Sequence, residues 1–366
     1  MKKLLWLLPL AMLTAIGTMF AHKPLTQADS SFHSQPAIPT PTPSDLAPTP
    51  VPEIVNDLQY PQVSPERLFT HVRALSFSRY TPGDRLKARK YILRTLRSAG
   101  WSPQEQSFPD GVNIVAERVG TDPQAGTILV GAHYDTVAAS PGADDNATGV
   151  AAVLEIARLL GSRRTPATLK LVLFDQEEKG LLGSLAFTSN ANNIADLNGA
   201  IVLDMIGFAC YAPKCQQLPQ GLPVKPPSDR GDFLAVAGDA EHPALLKAFA
   251  EVKQPGLPPV LAVPVPFKGV TAPDLMRSDH APFWVRGIGA VIVSDTANFR
   301  TPHYHQPSDL PNTIDRDFFI GSAQIVTNAT TRLLETSNVN EVKSQKSEVR
   351  SSGVQKFRRQ KAEGRS

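Results

Sequence analysis

Residues 127–180 decide the fold. They read TILVGAHYDTVAASPGADDNATGVAAVLEIARLL (127–160), GSRRTPAT (161–168) and LKLVLFDQEEKG (169–180). Thr127–Gly131 has the apolar run of a buried strand, Gly149–Leu160 the spacing of a helix, and Leu169–Phe174 a second buried strand. Short apolar strands alternating with helices indicate α/β layering, with a mainly parallel sheet buried on both faces.

The same alternation continues on either side. Upstream, Ser64 can cap a helix whose first residue is Pro65. A second helix is predicted over Asp84–Ala99, with Leu86, Ile92, Leu93, Leu96 and Ala99 inward and Gly100 ending it. Asn113–Glu117 reads as a strand. Downstream, a helix over Leu181–Ser189 precedes a strand at Ala200–Leu203. Further strands are predicted at Phe233–Ala237 and Ala290–Val293, and helices at His242–Val252 and Asp315–Leu334. The expected architecture is a three-layer α/β/α sandwich around a mixed, mainly parallel sheet.

Composition sets the outer limits. Of 366 residues, 42% are apolar and 19% charged, which excludes a wholly disordered chain and a polytopic membrane protein. Two cysteines exclude a disulfide-rich scaffold and a Cys₄ zinc site. The net charge of +3 is unevenly spread: residues 1–34 carry +2 and residues 336–366 carry +5, leaving −4 for 35–335. An acidic body does not invite nucleic acid, so none is expected as a partner.

Met1-Lys2-Lys3 followed by an uncharged run from Leu4 to Ala21 reads as a signal peptide or an uncleaved signal anchor over residues 1–21. Either way the body is expected to be exported, periplasmic or secreted, and tied to the membrane only if the anchor stays. Residues 22–63 are rich in proline and read as a spacer. Residues 64–335 are expected to be the catalytic domain, and 336–366 a basic, disordered tail.

In a doubly covered parallel sheet, ligands sit beyond the carboxyl ends of the strands. The acids and histidines of this sequence fall there. His133 and Asp135 follow TILVG, and Asp175, Glu177 and Glu178 follow LKLVLF. Asp204 follows AIVL, Asp279 and His280 precede AVIV, and His303 and His305 come after it. Each motif has an ordinary reading. An acid in GADDNATG can simply cap a helix. Glu177-Glu178 can be a solvated, negative helix start. His133 can be a satisfied surface histidine. Two adjacent glutamates at the end of an apolar strand nonetheless repel unless a cation neutralises them. One can bind metal while the other acts as a base on a metal-bound water. Taken together, His, Asp, Glu, Asp and His at strand ends offer N and O donors without thiolate, a set that suits zinc. A G-x-S-x-G elbow, an H-E-x-x-H helix and a phosphate-binding loop are all missing from the sequence.

From Ser64 to Leu334 the chain resembles the secreted bacterial co-catalytic di-zinc aminopeptidases of peptidase clan MH. Their relatives include glutamate carboxypeptidase and the glutaminyl cyclases. Six ordered motifs carry the resemblance: GAHYD, GADDNATG, FDQEEKGLLGS, VLDMIG, SDHAPFW and TPHYHQPSD. It implies the zinc exopeptidase fold and two Zn²⁺ ions per chain. His133 and Asp204 would bind one ion, Glu178 and His305 the other, and Asp145 would bridge them. Asp144 would be a neighbour, Glu177 the general base and acid, and Asp135 the group that orients His133. Tyr304 would hydrogen-bond the substrate carbonyl. Asp279 and His280 would stand near the substrate pocket. The bond between Asp145 and Asn146 would be cis.

The implied activity is removal of N-terminal residues from peptides by water activated between the two ions. The same fold also supports a glutaminyl-peptide cyclotransferase with a single zinc, and the Asp-His pair of SDHAPFW leans toward that reading. Cys210 and Cys215 bracket a four-residue loop and can pair in an exported protein, or remain two free thiols. That loop and Pro219–Pro227 are expected to form one wall of the substrate pocket.

Overall fold

The computed structural model describes residues 59–219 and 225–336. The expected leader, the spacer through residue 58 and the tail from residue 337 lie outside the described residues. Among the described residues, no helix is long and apolar enough to cross a membrane.

Two helices come first, α1 (Pro65–Leu75) and α2 (Pro82–Ser98). Ser64 caps α1 by accepting the Arg67 N–H at 3.4 Å, and Thr81 caps α2 on Asp84 at 3.2 Å. The buried side of α2 holds Arg85, Ala88, Ile92, Leu93 and Leu96, whereas Leu86, expected inward, is 40% exposed. Helical period explains the correction: 85, 88, 92 and 96 share one face, and position 86 is turned about 100° from it. Arg85 tolerates burial because its Nε lies 2.9 Å from Asp175 Oδ1.

The chain then builds one eight-stranded sheet. Its strands are β1 (Gln104–Phe108), β2 (Gly111–Arg118), β3 (Thr127–His133), β4 (Thr168–Phe174), β5 (Leu197–Leu203), β6 (Leu234–Asp239), β7 (Val260–Val265) and β8 (Ala290–Ser294). The spatial order is β1-β2-β4-β3-β5-β8-β6-β7. Strands β4, β3, β5 and β8 form a parallel centre, β6 and β7 run parallel to each other, and the remaining pairs are antiparallel. The helices between strands are α3 (Gly149–Leu160), α4 (Leu182–Ser189), α5 (Ala191–Ile194), α6 (Pro243–Ala250) and α7 (Ala281–Val285), and α8 (Arg316–Glu335) is the last described element.

The sandwich follows from the two-residue period of its strands. On β3, Ile128, Val130 and Ala132 join a core with Leu68 and Val72 of α1, Val153 of α3 and Val326 of α8. Leu129 points the other way, into a second core with Phe187 of α4 and Trp284 of α7. On β4, Leu171 and Leu173 join the first core, Val172 and Phe174 the second.

Two edge strands, β1 and β7, are absent from the expected set. Strand β1 is QEQSF, largely exposed, and β7 carries an exposed proline, Pro264, which edge strands tolerate. The spacer boundary also shifts. Residues 59–63 belong to the folded body: Val63 is 9% exposed, and its N–H donates to Gln324 Oε1 at 3.0 Å. Gln324 Nε2 donates in turn to the Pro61 carbonyl at 3.0 Å, and Arg163 holds the Gln59 carbonyl at 2.9 Å. Proline keeps this segment out of helix and sheet, but its carbonyls remain good acceptors.

Candidate metal centre and substrate cavity

Strands β4, β3 and β5 lie side by side in parallel, His133 opposite Phe174 and Ala132 opposite Leu203. Their carboxyl ends therefore deliver His133, the Asp175–Glu178 turn and Asp204 to one place. His133 Nε2 lies 3.4 Å from Asp145 Oδ1 and 3.6 Å from Asp204 Oδ1. His305 Nε2 lies 3.3 Å from Asp145 Oδ2 and 3.1 Å from Glu178 Oε2. Asp145 thus turns one oxygen toward each imidazole. Among the described residues, His133–Asp145–Asp204 and Asp145–Glu178–His305 are two groups that could each hold a metal ion, with ligand atoms within 4.8 Å of one another.

The chemistry of this donor set fits metal. All donors are imidazole nitrogen or carboxylate oxygen, and Glu178 Oε1 is buried without a hydrogen-bond partner. Carboxylates also outnumber the two imidazoles, and charge of one sign crowded in a dry site calls for a cation. The titration of these groups reflects the crowding. Burial works against a charged His133, yet Glu177, Asp135, Asp145 and Asp204 lift its pKa well above the ordinary value. His305 is likewise raised to about 10, burial opposing and Asp145 and Glu178 prevailing. Asp145 falls below the usual range, because its bonds to His133 and His305 outweigh burial. Burial first, then Asp145, raises Glu178 to about 7.

The turn that carries Asp145 is held from several sides. Gly142 has φ +63°, and a Cβ there would meet the Asp145 carbonyl at 2.4 Å and Arg79 at 2.7 Å. The Asp145–Asn146 peptide bond is cis, as the resemblance implies. Asn146 Nδ2 donates to the Leu203 carbonyl at 2.8 Å, and its Oδ1 accepts the N–H groups of Gly149 and Met205, tying the turn to the end of β5. Asp144 points away from the donors, its Oδ1 accepting from Thr148 Oγ1 and the Gly207 N–H, both at 2.9 Å.

Three supporting roles were not legible in the sequence. Asp309 accepts the Asp144 N–H at 2.8 Å and the Asp145 N–H at 3.1 Å, one on each oxygen. Arg79 is fully buried, and its guanidinium donates only to carbonyls, among them Tyr134 at 2.7 Å, Pro141 and Gly142 at 3.0 Å, and Leu75. Its positive charge lies under the acids; burial lowers its pKa to about 10 while Asp145, Asp135, Asp309 and Glu178 oppose the fall. Asp135 does more than face His133, whose Nδ1 is 3.5 Å from Asp135 Oδ1, at the limit of hydrogen bonding. Its two oxygens accept the N–H groups of Glu177 and Glu178 at 3.1 and 3.2 Å, fixing the paired glutamates as a unit. The sequence signal for Asp309 is its place at the end of the TPHYHQPSD motif, four residues after His305, and Arg79 has none.

A cavity of about 400 Å³ opens beside these groups. Glu177 lines it and belongs to neither donor group. Burial first, then the charges of Asp204, Asp279 and Glu178, raise the Glu177 pKa well above the ordinary value. Tyr304 lines the cavity too, its ring stacked on His305 with centroids 3.8 Å apart. The wall is apolar: Ala237 of β6, Val263 of β7, Ile292 of β8, and Leu218, Met276 and Phe299 from loops.

Cys210 and Cys215 are joined by a disulfide. Just beyond it Gln216 reaches Thr296 Oγ1 at 2.8 Å, and the Gln217 N–H donates to the Phe299 carbonyl at 2.8 Å, which brings Leu218 and Pro219 to the wall. Residues 220–224 of the expected Pro219–Pro227 wall lie outside the described residues. Asp279 and His280 are fully buried behind the cavity and do not line it, whereas Ser278 does, and the Asp279 charge still acts on Glu177. The fold draws the pair inward, since His280 Nε2 bonds the Leu275 carbonyl at 2.7 Å and its ring packs edge-on against Trp284.

Two donor groups sharing one carboxylate, set where a parallel sheet presents its strand ends, place the molecule among the metal-dependent hydrolases. Within that class the chain belongs to Peptidase family M28, whose description matches residues 113–330. It is 32% identical over 293 residues to the uncharacterized protein YfbL of Escherichia coli K12, a match covering 74% of this chain and 88% of that one. The aminopeptidase YwaD of Bacillus subtilis is 40% identical over 83 residues, 22% of this chain and 18% of that protein. In fold, the chain is similar to the aminopeptidase from Aneurinibacillus sp. strain AM-1, with TM-score 0.57 and 17% identity over 75% of this chain and 95% of the other. It is also similar to Porphyromonas gingivalis glutaminyl cyclase, with TM-score 0.51 and 23% identity over 74% of this chain and 98% of that one.

Proposed function

We propose that this chain is an exported zinc aminopeptidase that removes N-terminal residues from peptides. The observation that carries the reading is the bridging placement of Asp145, one oxygen toward each donor group, with Glu177 left free beside them. Two zinc ions, one at His133, Asp145 and Asp204 and one at Asp145, Glu178 and His305, would polarise the scissile carbonyl and acidify water.

The chain's own residues supply the rest. Glu177 takes the proton of the attacking water and passes it to the leaving amine, and Asp135 holds its backbone for that task. Tyr304 donates its O–H to the carbonyl oxygen as charge builds there. The free α-amino group of the substrate would meet a zinc ion or the acidic side chains around it, the contact that would make the enzyme an exopeptidase. The apolar wall takes the side chain of the N-terminal residue.

A glutaminyl-peptide cyclotransferase needs one zinc, and the second donor group favours the peptidase. The test is a direct comparison on purified, zinc-loaded protein. Amine release from aminoacyl-anilides is expected, without ammonia release from a glutaminyl peptide. Ammonia release without anilide hydrolysis would overturn the proposal.

A further inference from the structure

We propose that Arg277 is a recognition site for the free carboxylate of a short peptide, so that dipeptides are the substrate class this cavity serves best. The inference rests on the aminopeptidase reading and sharpens it. Among the described residues lining the cavity, Arg277 is the only lysine or arginine, beside Asp145, Glu177, Glu178, Asp204 and Asp274. Arg277 belongs to neither donor group, so its permanent positive charge stays open to an anion when metal ions neutralise the acids.

Arg277 is both held and available. One terminal nitrogen donates to Asn298 Oδ1 at 3.1 Å and the other to the Tyr304 hydroxyl at 3.2 Å. Asp274 lies 3.7 Å away, but both side chains are more than 40% exposed, and an exposed pair of that kind contributes little. A guanidinium carries five N–H donors in a planar fork, so several remain for a bidentate carboxylate contact.

Position then selects the length of the peptide. Tyr304 is the group assigned to the scissile carbonyl, and Arg277 stands one hydrogen bond beyond it. Successive Cα atoms are about 3.8 Å apart, so a dipeptide's carboxylate ends about one such step past the scissile bond, within reach of the fork. Each added residue carries the carboxylate ~3.3–3.6 Å further along an extended chain, away from Arg277.

The experiment compares leucyl-alanine with leucyl-alaninamide, which differ only in the carboxylate, on the wild type, Arg277→Ala and Arg277→Lys. The expected kcat/KM preference of the wild type for the acid is about tenfold, carried by KM, as a charge-assisted bidentate contact would give. Arg277→Ala should bring the acid-to-amide ratio near one, and Arg277→Lys should leave an intermediate ratio. Calorimetric binding of the non-hydrolysable reduced-amide analogues, as acid and as amide, gives the same comparison without turnover. Equal handling of acid and amide by the wild type overturns the assignment. So does an Arg277→Ala variant that is slower on both but keeps the preference, because Arg277 would then only position Tyr304. If no peptide is hydrolysed the aminopeptidase reading fails, and the binding comparison still decides the role of Arg277.

Discussion

At the scale of single residues, the centre depends on groups that touch no substrate. Asp309 is the clearest case, since its two oxygens hold the backbone N–H groups on either side of the bridging turn. Asp309→Asn puts an amide N–H₂ against one of those donors and removes a negative charge from beneath the turn. Zinc affinity should fall by about 10–100-fold, the usual scale for a group that orients a ligand, with the fold retained. Competition with a chelator reads it, and unchanged affinity would show that the turn holds itself. The sequence pointed to the candidate donor groups because carboxylates and imidazoles stand at the ends of apolar strands, and the resemblance divided them into two sets. It hid Asp309, Arg79 and the clamp made by Asp135, because each works through backbone contacts between distant segments. It did not show that Asp279 and His280 are buried behind the cavity wall, since burial depends on packing between distant segments.

At the scale of elements, the parallel centre of the sheet was readable and its edges were not. Apolar runs mark strands covered on both faces; β1 (QEQSF) has none, and the run of β7 (VLAVPV) is broken by Pro264. The wall of the cavity is likewise assembled from pieces far apart in the chain. The Cys210–Cys215 disulfide closes the loop just before Gln216 and Gln217, which fasten Leu218 and Pro219 to the Thr296–Phe299 segment. A Cys210→Ser, Cys215→Ser variant frees the start of that loop without touching a metal donor. KM for a peptide with an apolar N-terminal residue should rise several-fold while kcat stays within about twofold, as when ground-state binding alone is weakened. A loss confined to kcat would contradict the assignment of the loop to the wall.

At the scale of the whole molecule, the folded body begins before its first helix. Residues 59–63 are strapped to α8 and its neighbours through Gln324 and Arg163, and Val63 reaches the core. A chain starting at Ser64 leaves the buried Gln324 amide without the Val63 and Pro61 partners. It should be less stable than one starting at Asp57 by about 1–3 kcal/mol, the cost of unsatisfied buried polar groups, with kcat unchanged. Denaturant titration of the two chains measures the difference, and equal midpoints would return the boundary to residue 64.

The central claim is that two metal ions sit at the shared carboxylate of Asp145 and that Glu177 carries the proton. Zinc content per chain, measured beside kcat for Glu177→Gln and Glu178→Ala, tests it most directly. The two glutamates are adjacent in sequence but should fail differently. Glu177→Gln should keep about two zinc ions while kcat falls by ~10²–10⁴, the scale of a lost general base. Glu178→Ala should lose or weaken one ion, with activity partly restored by excess zinc. A Glu177→Gln protein that loses zinc while Glu178→Ala retains it would exchange the two roles, and two variants unaltered in both metal and rate would contradict the two-metal account itself.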